Sequence, residues 1–304
     1  SYNLKTSFNS LSGTVGKFSY YTYFNYKEGN SFRPNSDYNS RNYFAHVGYQ
    51  FTDKTKITVE TTFLNYLAKQ PGGLTDAQFI EDPTFSNRER NWFDVDWKLF
   101  SVRLDHKFSS KTDFSLNVFG LDASRSALGF RTNRVSQPDD PEEPRELLID
   151  NFQNWGAEAR LLTRYKLGDT ESALLIGSKI YRTDNDQRQG PGTSAANADF
   201  NFAEDEFPNY ERQSQFNFPN SNLAFFGENI FNISPKLTLT PGFRLEHIKT
   251  ESIGSYKNIV LDLAGNPLLN EEVEDNREFD RTFLLLGLGA TYKLNSSVEF
   301  YGNF

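Results

Sequence analysis

The 304-residue chain contains no cysteine and no methionine, and only three histidines and three tryptophans. Without cysteine there is no disulfide framework and no thiolate metal site. No run of about 18 apolar residues occurs, so a transmembrane helix is excluded. That exclusion does not extend to membranes in general. A barrel strand crosses with about 9–11 residues and alternates apolar with polar, which keeps the average hydropathy low; here it is −0.64. The net charge of −8 argues against nucleic acid as a partner, because that role calls for a basic stripe. Ser1 is followed by no basic-then-apolar leader. Both ends also fall in strand-like sequence, at Tyr2 and Phe304, so the chain reads as the interior of a longer precursor.

What is abundant is aromatic: 29 Phe and 15 Tyr. Such residues favour strands. About twelve amphipathic period-2 segments of barrel-strand length recur along the chain, and the gaps between them alternate short and long. The short gaps carry turn chemistry: Ser12-Gly13-Thr14-Val15-Gly16, Thr52-Asp53-Lys54-Thr55, Ser109-Ser110-Lys111-Thr112, Gly168-Asp169-Thr170-Glu171, Ser234-Pro235-Lys236 and Asn295-Ser296-Ser297. The long gaps run over 28–40, 67–96, 125–152, 184–222 and 250–281. Five loops of that length are rare in a compact soluble domain. A transmembrane barrel produces them, with tight turns on the periplasmic side and extended loops outside.

The strand faces agree. Phe100, Val102, Leu104 and Phe108 alternate with Ser101, Arg103, Asp105 and Lys107. Leu237, Leu239, Phe243 and Leu245 oppose Thr238, Thr240, Arg244 and Glu246, and Arg160 and Arg164 oppose Ala159, Leu161 and Tyr165. A lipid-facing Arg or Lys at mid-membrane costs about 2–4 kcal/mol, so the charged set must line a lumen. Phe18, Phe51, Phe108, Phe114, Tyr165, Phe231 and Tyr292 sit within a few residues of the tight turns and read as a headgroup-level girdle. The segments 174–182 and 223–233 leave their faces open. Pro241 followed by Gly242 inside a strand predicts a bulge or bend, since proline cannot donate to a ladder.

The stretch Gln70-Pro71-Gly72-Gly73-Leu74-Thr75-Asp76-Ala77-Gln78-Phe79, continuing through Asp82-Pro83 to Ser86, Arg88, Arg90 and Trp92-Phe93, resembles TonB-dependent outer-membrane transporters of the ferric-dicitrate type. Asn35-Ser36-Asp37-Tyr38 is similar to the preceding loop of that family. Leu239-Thr240-Pro241-Gly242-Phe243-Arg244-Leu245-Glu246 and Tyr301-Gly302-Asn303-Phe304 are similar to strands of the wider superfamily. The resemblance implies an all-β, 22-stranded antiparallel barrel in the bacterial outer membrane, of which residues 1–304 supply part. The N-terminal plug, the TonB-contacting box and the later strands would then lie elsewhere. It also implies a ferric chelate or similar nutrient as cargo, with iron present only as part of that chelate. The TonB complex, outer-membrane lipid and lipopolysaccharide would be partners. About twelve strands with two free edges are expected to aggregate if made alone, because unpaired edge groups in lipid cost several kcal/mol each.

No enzyme signature emerges. His46, His106 and His247 lie in strand patterns without ligand or triad spacing, and there is no Gly-x-Ser-x-Gly. Glu142-Glu143 and Glu204-Asp205-Glu206 read as solvated faces, and Gly190-Pro191-Gly192 lacks the context of a phosphate loop. No cofactor or metal site is expected. Arg88, Arg90, Arg131 and Arg134, in two long outer loops, are the candidate ligand-binding residues, because arginine forks grip carboxylates. Against that stands pairing with loop acids, and the acidic character of 125–152 and 184–222 weakens an anion-specific reading and leaves a cationic, neutral or lipopolysaccharide-bridging role open. The rival functions are a passive porin-type channel and a surface-binding or adhesion barrel.

Overall fold

The computed structural model describes residues 2–132 and 134–304. It is one antiparallel sheet in which strands pair in sequence order, except that the eleventh and twelfth both pair with the tenth. The strands are β1 (Lys5–Val15), β2 (Phe18–Gly29), β3 (Tyr38–Thr52), β4 (Thr55–Lys69), β5 (Trp92–Lys107), β6 (Thr112–Gly129), β7 (Glu146–Leu167), β8 (Thr170–Pro191), β9 (Ser214–Asn232), β10 (Leu237–Leu261), β11 (Pro267–Glu274), β12 (Arg277–Lys293) and β13 (Glu299–Asn303). One short helix, α1 (Asp76–Glu81), interrupts the strands and is capped by Thr75 and Gln78. No helix among the described residues is long and apolar enough to cross a membrane.

All six tight connections fall where the turn residues place them. Three are tighter than expected, and two of these turn on glycines in the left-handed region, Gly16 (φ 58°) and Gly168 (φ 62°). The long connections depart further from the sequence reading. The strands run on well past membrane height: β7 and β8 each have 22 residues, roughly 70 Å of extended chain. The segment 250–281, expected as a loop, is mostly hairpin. β11 and β12 pair with β10 in the same register and are one strand interrupted only at Asp275-Asn276. Above the membrane neither face of such a hairpin has to be apolar, so no strict alternation marks it.

The register fixes which residues share a face. Val47, Val59, Val102, Val118, Ala157, Ile180 and Leu223 are successive cross-strand partners across seven strands. This row stays open, with Val102 46% and Leu223 56% exposed. On the opposite face Ala123, Ala224 and Glu246 are buried although no second layer covers them. In a single-layer sheet only curvature crowds one face, so the apolar row is on the convex side and the polar row lines the interior. The two ambiguous segments resolve accordingly: Leu174, Ile176 and Ile180 point outward, as do Leu223 and Phe225.

The outward apolar band has a sharp upper limit. Above Phe100 come Lys98 and Asp96, above Val118 and Gly120 comes Asp122, above Ile180 comes Arg182, and above Leu245 come His247 and Lys249. Trp155 sits at this limit, beside Arg182, as an interfacial aromatic would. Two positions show how tightly the wall is built. At Pro241 no bulge forms: the β9–β10 register is the same on both sides, and only the bridges of Thr240 and Pro241 to β9 are missing. The lost donor is absorbed by opening the ladder locally. At Gly177 a Cβ would stand 2.5 Å from the Phe226 ring and 2.8 Å from the Ala159 carbonyl oxygen. Gly177→Ala is therefore expected to cost about 1–3 kcal/mol of stability, seen as a lower temperature for the heat-induced mobility shift of the folded barrel on gels.

Candidate ligand-binding site

The interior wall has two tiers. The lower one is charged, as the alternation of the strands predicts. His46 Nδ1 lies 2.8 Å from Glu60 Oε1, Arg103 pairs with Asp105 at 2.9 Å and Arg160 with Glu158 at 2.5 Å. These side chains line an open cleft of about 530 Å³. The upper tier adds an apolar surface that the charged strand faces did not indicate. Phe44, Leu99, Phe119, Leu121 and Tyr181 form an apolar cleft of about 350 Å³. Tyr23 stacks on Phe44 at 5.5 Å, Phe119 on Tyr181 at 6.1 Å, and the Lys179 ammonium stands 5.6 Å from the Phe119 ring centroid. The signal was present in the sequence, since Tyr21 and Tyr23 share the inner face of β2.

Above the wall, buried arginines tie three long loops together. Arg90 is 4% exposed. Its Nε and Nη2 grip Asp139 at 2.9 and 2.5 Å, and its remaining protons go to the carbonyls of Asp140, Pro141, Glu143 and Ser194. Arg88, equally buried, donates to the carbonyls of Asn87, Gln137 and Val135 and lies 4.9 Å from the Phe130 ring centroid. Burial lowers its pKa, partly offset by Asp139. Gly72 explains part of the Pro71–Phe79 pattern. It has φ 76°, and a Cβ there would meet the Arg88 side chain at 2.6 Å. Arg33 clamps the same turn, donating to Gly72 O at 2.7 Å and to Phe85 O at 2.7 Å.

Arg145, which the sequence did not single out, is fully buried. It donates to Thr193 O, Arg90 O and Asn197 O at 2.9, 3.3 and 2.7 Å, and to Thr193 Oγ1 at 3.0 Å. Burial, and then the neighbouring Arg90 charge, push its pKa down to about 10. Trp92 Nε1 adds a bond to Ala196 O at 2.9 Å. The segments 70–91, 130–145 and 192–213 are thus one braced unit.

Of the four arginines expected to meet a ligand, Arg88 and Arg90 lie inside this brace, with their forks already engaged. Arg131 and Arg134 are exposed. Arg131 Nε is 3.6 Å from Glu146 Oε1, and Arg212 closes on the other oxygen at 2.6 Å. Arg134 makes no ion pair among the described residues. The brace joins these four into one region of the rim, with the two spent arginines beneath and the two open ones at the surface.

A family model described as TonB dependent receptor-like, beta-barrel, matches residues 1–304. Among curated proteins there is no match. Several solved structures resemble the fold. The unliganded ferric citrate transporter FecA has a TM-score of 0.74 at 19% identity, over 99% of this chain and 40% of its own. The ferric yersiniabactin uptake receptor FyuA of Yersinia pestis has 0.75 at 13%, over 98% and 44%. The ferric-catecholate import receptor Fiu of E. coli K12, in its open form, has 0.74 at 11%, over 99% and 52%. The chain spans about half or less of the length of each of these structures.

Proposed function

The chain belongs to the TonB-dependent receptor-like β-barrel family, and from that premise we propose that the complete protein takes up a ferric chelate actively across the outer membrane. Membership places the wall described above in a bacterial outer membrane. The observation that carries the transport reading is the braced loop rim above a lumen with a charged lower tier and an apolar upper tier. A ligand would meet preordered loops and then the aromatic inner wall, while the polar lower tier would contact the remainder of the protein. Energy would come from the TonB complex through parts outside these residues. Lipopolysaccharide and lipid would contact the outward band and the polar ring at its upper edge. Iron travels as cargo inside the chelate; the wall binds and guides and performs no bond chemistry.

Within this reading Arg131 and Arg134 are the ligand contacts among the four arginines, and Arg88 and Arg90 hold the loops that present them. Fold neighbours named for ferric citrate, yersiniabactin and catecholates support offering ferric chelates as the first candidates for cargo. The test is uptake of radioactive iron by iron-starved cells expressing the full-length protein, offered as a panel of chelates, with and without a functional TonB. Accumulation of at least one chelate that disappears without TonB is the expected result. Accumulation that persists without TonB would support a passive channel, and surface binding without any accumulation would support an adhesion barrel.

A further inference from the structure

A groove on the loop surface, lined mainly by two of the braced segments, is given no ligand of its own in the scheme above. Pro144, Phe207, Pro208, Tyr210 and Leu261 form its apolar lining, and its volume is about 450 Å³. Glu143, Glu206 and Glu211 also line it and are exposed. None of these three carboxylates has an ion-pair or side-chain hydrogen-bond partner among the described residues. Arg212, the one cation lining the groove among the described residues, is committed to Glu146 at 2.6 Å. Arg90 is engaged by Asp139, Arg145 by loop carbonyls and Arg188 by Glu204 at 2.6 Å, while Arg131 shares Glu146 with Arg212.

The groove is preformed. Gln213, itself buried, donates to Pro208 O at 3.3 Å and Tyr210 O at 2.8 Å, and the backbone N–H of Phe207 bonds Ala203 O at 2.9 Å. Burial, followed by the Glu146 charge, raises the Tyr210 phenol to about 12, so it stays neutral and the aromatic floor adds no charge of its own. The Tyr210 ring already carries the Arg212 guanidinium at 5.9 Å, so the open aromatic face is that of Phe207; unpaired carboxylates around it attract cations twice over, by Coulomb attraction and by the ring quadrupole. They also repel a free carboxylate or phosphate.

We propose that this groove docks a small amphipathic cation, a ligand with protonated amines or guanidiniums on an apolar body of two or three side chains' bulk. The volume falls within the small-molecule range of roughly 300–1,000 Å³, which favours a free small ligand over a folded partner.

The test uses the complete receptor in nanodiscs and two amidated tripeptides, Lys-Phe-Lys and Glu-Phe-Glu, titrated by calorimetry. Saturable binding of Lys-Phe-Lys is expected. It should weaken at least about tenfold in the E143Q/E206Q/E211Q variant, and markedly between about 50 and 500 mM salt. Glu-Phe-Glu should not bind. Phe207→Ala, which leaves the charges in place, should also weaken binding. Gel mobility before and after heating reports that each variant is folded. Unchanged affinity in the triple variant, equal binding of Glu-Phe-Glu, or no saturable binding of Lys-Phe-Lys up to about 10 mM would overturn the proposal. So would a dodecapeptide with Lys-Phe-Lys at its centre binding more than about tenfold tighter than the tripeptide, which would reassign the groove to a polypeptide.

Discussion

Arg90→Ala is expected to release three loops at once while leaving the barrel folded. The substitution removes the fork that neutralises Asp139, whose side chain is only 10% exposed, and strips a donor from four loop carbonyls. Removing one partner of a buried pair costs about 3–5 kcal/mol because the other charge is left uncompensated. The loss is local, since the loops and not the membrane strands hold these contacts. Amide hydrogen exchange in the full-length protein measures it. The backbone bonds Gln70 N to Asn91 O, Gln137 N to Arg134 O and Ala203 N to Pro191 O report on the three segments. Exchange should accelerate by about two to three and a half powers of ten at segments 70–91, 130–145 and 192–213 together, the equivalent of the energy above at about 1.4 kcal/mol per tenfold. Exchange in the membrane portions of β5 and β8 should not change. Arg90→Lys keeps the charge but cannot fork, so an intermediate loss is expected. Acceleration at one segment alone would show that the loops are not a single braced unit.

The second large effect contrasts two neighbours. Val102 points outward between Val59 and Val118, whereas Ser101 points inward between Glu60 and Phe119. Val102→Arg should lower the stability of the complete protein in lipid by about 2–4 kcal/mol, the cost of a guanidinium near the bilayer midplane. Ser101→Arg enters the wet interior beside the Glu60 carboxylate and should change stability by less than about 1 kcal/mol. Denaturant unfolding from vesicles measures both. Equal losses at the two positions would mean that the faces are wrongly assigned.

Most of the wall was legible in the sequence because a period of two is a strong local signal. Each tight turn announces itself with Gly, Asp or Ser, and the charged face of a strand such as 100–108 can point only one way in lipid. The exceptions have physical causes. The hairpin of β10 and β11 looked like a loop because above the membrane nothing forces one face to be apolar. The aromatic tier at Phe44, Phe119 and Tyr181 escaped notice because charge served as the mark of the lumen, and aromatics satisfy either environment. Pro241 suggested a bulge because the cost of a missing donor is local, whereas the unbroken register is set by the whole strand.

The candidate site was less legible. Arg88 and Arg90 stood out as arginines in outer loops, but their partners lie about 50 residues away or more, at Gln137, Asp139 and Ser194. Arg145 had no local mark at all. Its burial follows from loops meeting in space, which spacing along the chain does not reveal.

The central claim is that this sheet is a membrane wall with lipid on its apolar face. The absence of cysteine from these residues allows single-cysteine spin labels to be placed along β8 in the complete protein reconstituted in bilayers. Labels at Leu174, Ile176 and Ile180 should collide with oxygen dissolved in lipid, and labels at Lys179 and Tyr181 with a water-soluble nickel chelate or with protein. Above Arg182 the oxygen preference should vanish on both faces. Nickel accessibility at Ile176 and Ile180 equal to that at Lys179, or oxygen preference at every position, would contradict the account.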